Sequence, residues 1–124
     1  IENGVVVLVR RDTAEKITVP IAEVNDKLGS LLEEIQDNMF NECKKQNEER
    51  TNIATNLDEF IKVINEKQGY IKTMWCGDEE CENKIKEQTG AHSRCIPFNQ
   101  EHISDSCVVC GKKSDKMVVW GRQY

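Results

Sequence analysis

The sequence predicts an α/β chain in two parts: a small sheet carrying one long helix, then a compact cysteine-rich module of roughly three short strands and one or two helices. Three observations point there. A run of mostly β-branched residues, Val5-Val6-Val7-Leu8-Val9, lies almost at the start. Ile21, Val24, Leu28, Leu31, Leu32, Ile35, Met39 and Cys43 then recur at three- and four-residue steps, the repeat of one helix face. Two cysteine pairs, Cys76 with Cys81 and Cys107 with Cys110, occupy the second half.

The elements follow in order. Val5 to Arg10 reads as a strand buried on both faces, because its apolar residues are continuous rather than alternating. Lys16-Ile17-Thr18-Val19 alternates and reads as its partner, and Pro20 suits the first turn of the helix that follows. Gly29 weakens that helix by roughly 1 kcal/mol relative to Ala. Past Cys43 the stripe fades into Lys44 to Arg50, a solvated end. Asn56-Leu57-Asp58-Glu59 has the form of a capping box and opens a short helix with Leu57, Phe60, Ile61 and Ile64 on its apolar face. Gly69 breaks the pattern, and Tyr70 to Cys76 reads as a strand. Asp78-Glu79-Glu80 opens another helix running to Gln88, with Gly90 as its end signal. The expected domain boundary falls near residues 69–75, giving parts 1–69 and 70–124.

Hydrophobic residues make up 38% of the 124-residue chain and charged residues 31%, the balance of a folded polar-surfaced protein with a modest core. No run approaches the roughly 20 apolar residues of a membrane helix. A net charge of −5 counts against broad, sequence-blind nucleic-acid binding. The charge is uneven: residues 21–66 hold eleven acids against five bases, whereas 111–124 hold Lys112, Lys113, Lys116 and Arg122 against Asp115. An apolar strand so near residue 1, with no initiator Met, is expected of a piece of a longer polypeptide.

The cysteines carry the chemistry. Two thiolates separated by two residues, Cys107-Val108-Val109-Cys110, and two separated by four, Cys76 to Cys81, match the two close pairs that supply a tetrahedral zinc ion. Gly111 permits the tight turn, and the N-terminus of the helix beginning near Asp78 favours thiolate at Cys81. The competing readings are a pair of disulfides or buried free thiols. Six cysteines without a secretory signal favour a reducing compartment, and therefore metal. Four cysteines leave no open coordination position, so the expected zinc is structural, and neither His92 nor His102 is needed. Lys112 and Lys113 lie close in sequence to offset the site's negative charge. Cys43 and Cys95 are expected as buried small hydrophobes, and Trp75 and Trp120 as cover for the small core. No phosphate loop, nucleophile elbow or paired-His motif is present.

At Met74-Trp75-Cys76-Gly77-Asp78-Glu79-Glu80-Cys81-Glu82 the sequence resembles the zinc domain of prolyl-tRNA synthetases. The resemblance continues at Ser93-Arg94-Cys95-Ile96-Pro97-Phe98, Cys107-Val108-Val109-Cys110-Gly111-Lys112 and Trp120-Gly121-Arg122-Gln123-Tyr124. The form in question is the archaeal- and eukaryotic-like one, also found in some bacteria. Val5 to Thr13 and the helix after it are similar to the last part of that family's anticodon-binding domain. The resemblance implies a non-catalytic C-terminal part of a class II enzyme that ligates proline to its tRNA with ATP, through prolyl-adenylate. ATP and magnesium would belong to a catalytic domain whose motifs are not in this sequence. It also implies zinc on Cys76, Cys81, Cys107 and Cys110, a cytoplasmic homodimer, and a tyrosine matching Tyr124 directed back toward the catalytic domain. Arg10 and Arg11, at a strand end, are candidates for anticodon contact because guanidinium donors suit bases and phosphates alike. The plainer alternative pairs one of them with Asp12 or a helix acid. A free-standing zinc module binding nucleic acid or protein is the alternative for the chain as a whole, and an architectural part with no RNA role is another.

Overall fold

The run near the start forms strand β1 (Val5–Val9), antiparallel to β2 (Lys16–Pro20), with Val6 opposite Val19 and Leu8 opposite Ile17. The computed structural model describes residues 3–123. Val19 is buried, but Val7 and Val9 are 57% and 60% exposed, so β1 is not covered on both faces as its composition suggested. Successive side chains of a strand point to opposite faces, and among the described residues a two-stranded sheet has no second layer for its outer one. Pro20 closes β2 and precedes a short 3-10 turn, Ile21–Glu23, rather than sitting in the first turn of the long helix.

That helix, α1, runs Val24–Glu49. Its apolar stripe is as periodic as expected, yet only Leu31 is buried; Leu28, Leu32 and Met39 are exposed. Cys43 is exposed too, against the expectation of burial. Length explains this. A helix of 26 residues is about 39 Å long, and five-residue strands reach only about 17 Å. The chain divides into two compact units between Gln46 and Asn47, within the last turn of α1.

The second unit holds β3 (Thr51–Ile53), α2 (Leu57–Glu66), β4 (Tyr70–Trp75), α3 (Glu79–Thr89), β5 (Ala91–Cys95) and β6 (Lys116–Arg122). The strands form one sheet in the order β3-β4-β6-β5, with β3 parallel to β4 and the other neighbours antiparallel. Three strands and one helix therefore lie within 70–124, and β3 and α2 join them from upstream. Because β3 shares the sheet and α2 the core, the compact unit begins earlier than the boundary drawn from composition.

Both helix starts obey their local chemistry. Asn56 Oδ1 accepts from the Glu59 amide at 2.9 Å, and the Glu59 carboxylate accepts from the Thr55 amide at 2.8 Å. The second bond reaches one residue further back than an ideal capping box. The Thr55 amide, with the Thr55 hydroxyl, holds the Glu59 carboxyl below its usual range. Asp78 caps α3 by accepting from the Glu80 amide, and Gly90 ends it at φ +69°.

Trp120 on β6 is the centre of the core, fully buried and in edge-to-face contact with Phe60 of α2 at 6.2 Å and with Trp75 at 6.3 Å. Its indole N–H donates to Thr73 Oγ1 at 2.9 Å, satisfying both buried polar groups. Both tryptophans thus serve the core, Trp75 from a half-buried position. Ile71, Ile85, Val118 and Val108 complete the packing. Val108 belongs to the second cysteine pair, which ties the core to the site described next.

Candidate metal centre

Three segments bring the four cysteines together. Cys76 follows β4, Cys81 lies in the first turn of α3, and Cys107 and Cys110 lie on a turn in the long connection 96–115 between β5 and β6. That turn closes a small hairpin. The Cys107 amide donates to Lys112 O at 2.8 Å, Gly111 to Cys107 O at 3.1 Å, and Ser114 to Asp105 O at 3.0 Å. The Val108 amide donates to Met74 O at 2.9 Å, anchoring the hairpin to the sheet.

The sulfur geometry is that of a tetrahedral site. Zn–S bonds of about 2.3 Å put neighbouring sulfurs about 3.8 Å apart. Cys76 Sγ lies 3.7 Å from Cys81 Sγ and 3.7 Å from Cys110 Sγ. All four ligand atoms fall within 4.8 Å of one another. Two disulfides would need sulfur pairs near 2.05 Å, and all six cysteines are free thiols. The donor set is soft, fourfold and closed, so it fits a structural zinc ion and leaves no position for a reacting water.

Glycine shapes both halves. Cys76-Gly77-Asp78 and Cys110-Gly111-Lys112 share one form, with Gly77 at φ +88° and Gly111 at φ +71°. These left-handed residues let the amide two positions on reach the preceding sulfur: Asp78 N–H toward Cys76 and Lys112 N–H toward Cys110. Only Gly111 stood out in the sequence; the repeated Cys-Gly dipeptide was the signal for Gly77.

The thiols are unequal. Burial pushes Cys76 up, and pushes Cys81 further up, with the neighbouring cysteines adding to it. The Lys112 amide instead brings exposed Cys110 down to about 7. Zinc therefore has to displace protons from the buried ligands to bind. Two lysines lie beside the cluster. Lys112 Nζ lies 3.8 Å from Asp78 Oδ2, an exposed pair of small energetic weight. Lys116 Nζ lies over Gly77, 3.7 Å from where a Cβ would sit, a proximity that no linear spacing reveals. His92 is on β5 and His102 pairs with Asp105 at 3.0 Å, both apart from the sulfur cluster. Cys95 is exposed rather than buried, because β5 is an edge strand bulged at Ser93/Cys95.

In the first unit, Arg10 takes the plainer of its two readings. Its guanidinium donates to both Asp12 oxygens, at 3.1 and 2.8 Å, and to Glu34 Oε2 at 3.1 Å. Arg11 is exposed beside a shallow depression lined by Asp12, Ile35, Asn38, Met39 and Glu42. Tyr124, singled out in the sequence, lies outside the described residues.

A mixed four-stranded sheet carrying a closed cluster of four cysteines that could hold a metal ion defines a small α/β module with a candidate metal centre. The family described as "Prolyl-tRNA synthetase, C-terminal" matches residues 57–124, which include all four clustered cysteines, and the chain belongs to that family. Two curated relatives match over the whole of this chain. A Bacillus cereus protein named proline–tRNA ligase 2 is 50% identical, and a Clostridium botulinum proline–tRNA ligase is 52% identical. In each case the chain spans 26% of the relative's length. A crystal structure of prolyl-tRNA synthetase from Cryptosporidium parvum, complexed with L-proline and AMP, superposes with a TM-score of 0.90 at 33% identity. That match covers 99% of this chain and 26% of the other.

Proposed function

We propose that this chain works as the C-terminal, non-catalytic part of a cytoplasmic, homodimeric proline–tRNA ligase, which attaches proline to its tRNA with ATP and magnesium through prolyl-adenylate. The observation that carries this reading is likeness along the entire chain, at 52% identity to a protein of that name. No helix among the described residues is long and apolar enough to cross a membrane, which agrees with it. In this reading residues 1–69 include the end of the anticodon-binding domain, with Arg11 the freer of the two candidate RNA contacts. Residues 70–124 carry the structural zinc on Cys76, Cys81, Cys107 and Cys110. When bound, the metal supplies a cross-link and no reaction chemistry. The four cysteines hold it, Gly77 and Gly111 aim two of the sulfurs, and Val108 carries the fixed hairpin into the core.

Two measurements test this. Elemental analysis of protein purified without added metal is expected to give about one zinc per chain. A folded, metal-free chain removes the zinc part. Charging of tRNA with proline by a full-length ligase carrying this segment is expected to weaken with Arg11→Ala more than with Arg10→Ala. Unchanged kinetics for both removes the RNA contact.

A further inference from the structure

We propose that Cys110 is a peroxide-reactive modification site, and that its oxidation locks the cluster into a Cys76–Cys110 disulfide and expels the metal. This rests on the zinc reading above. Exposure singles out the point of attack. Cys81 and Cys107 are only 5% and 3% exposed, Cys76 is half-buried, and Cys110 alone among the four is open to solvent. A peroxide reaching the cluster meets that sulfur first.

Exposure and reach together point to the second thiol, since Cys76 is the only other ligand that is not buried. Cys76 Sγ lies 3.7 Å from Cys110 Sγ, and the two need to close only to about 2.05 Å. Cys110 thiolate attacks one peroxide oxygen, the O–O bond breaks, and hydroxide leaves, giving the sulfenic acid. Cys76 thiolate attacks that sulfur and expels a second hydroxide as the S–S bond forms. Two thiolates lose two electrons in all, and one peroxide with two protons becomes two waters. The remaining Cys81 and Cys107 cannot hold zinc alone, so the metal leaves. A pairing across the two halves of the site is the distinctive outcome, since each linear pair, Cys76 with Cys81 and Cys107 with Cys110, is a competitor.

The experiment uses the zinc-loaded chain with Cys43→Ser and Cys95→Ser, which removes the two exposed thiols outside the cluster. Zinc content is measured first. Hydrogen peroxide is then added, zinc release is followed with a chromogenic chelator, and free thiols are alkylated before peptide mapping. Release in step with a disulfide joining the Cys76 and Cys110 peptides, reversed by thiol reductant plus zinc, supports the proposal. Cys110→His, which retains a ligand but no oxidisable sulfur, is expected to slow release by about 10-fold or more. A Cys107–Cys110 or Cys76–Cys81 linkage, or undiminished release from a zinc-loaded C110H, overturns it. If C110H does not load zinc, the wild-type disulfide map decides alone. A chain with no zinc at the outset fails the metal reading instead, and its disulfide map still tests the pairing.

Discussion

Asp12 accepts hydrogen bonds from two nitrogens of Arg10 and, at 2.9 Å, from Asn38 Nδ2. The Arg10 donors chiefly hold its carboxyl down at about 2, against an ordinary 3.8. A carboxyl depressed by folding stabilises the protein above its unfolded pKa, and that contribution fades as pH falls toward the folded value. Asp12→Asn is therefore expected to lower the melting temperature near pH 7. Its deficit should shrink as pH falls from about 4 to about 2. Thermal melts by circular dichroism across that window check it, and an equal deficit at both ends would show the charge to be irrelevant. The sequence exposed Arg10, Asp12 and the cysteines because close linear spacing brings chemistry together. It offered a helix acid for Arg10 without singling out Glu34, and it gave no sign that Asn38 would reach Asp12 or Lys116 would lie over Gly77; these arrive through the fold.

At the scale of elements, Gly69 and Gly29 make opposite predictions from one substitution. Gly69 has φ +117°, and a Cβ there would lie 2.0 Å from Arg50 O, the same carbonyl that accepts from the Tyr70 amide at 2.9 Å. Gly69→Ala would push apart the start of β4 and the residue before β3. The cost is expected to be about 3 kcal/mol or more. Gly29 lies in α1 with nothing within 4 Å of an added Cβ. Gly29→Ala should stabilise α1 by up to about 1 kcal/mol. Denaturant midpoints of the two variants, moving in opposite directions from wild type, are the check; a shared direction would refute the reading of either position. The three helices were legible from caps and periodicity. β3 was not: with three residues it shows no period, and it exists because β4 offers it a parallel edge. The exposed α1 stripe shows the limit from the other side, since periodicity reports which face is apolar and not what covers it.

For the whole molecule, metal removal separates core from staple. The 105–114 hairpin depends on a few backbone bonds and on the cluster, whereas the sheet is closed by the Trp120 packing. Adding chelator near neutral pH is expected to release the amide protection of Cys107, Gly111 and Ser114 in hydrogen exchange while the β4–β6 pairs keep theirs. Protons compete for the buried thiols, so less chelator should suffice as pH falls below about 6. Loss of all protection together would mean that metal and core form one cooperative unit. The α/β architecture and the gathering of the four cysteines were legible because composition and spacing encode them. The placement of α2 and β3 with the cysteine module was not, because it depends on shared packing around Phe60 and Trp120.

Strand order sets a timetable for synthesis. β6 comes last in sequence but lies between β4 and β5 in the sheet. Until Lys116–Arg122 leaves the ribosome, β4 and β5 have no partner between them, and Phe60 and Trp75 lack the indole they pack against. A nascent chain stalled in the 96–115 connection carries strands with open edges and an unfinished core around Phe60, a state open to chaperones and proteases. Completion of this unit thus waits on the last of its described strands.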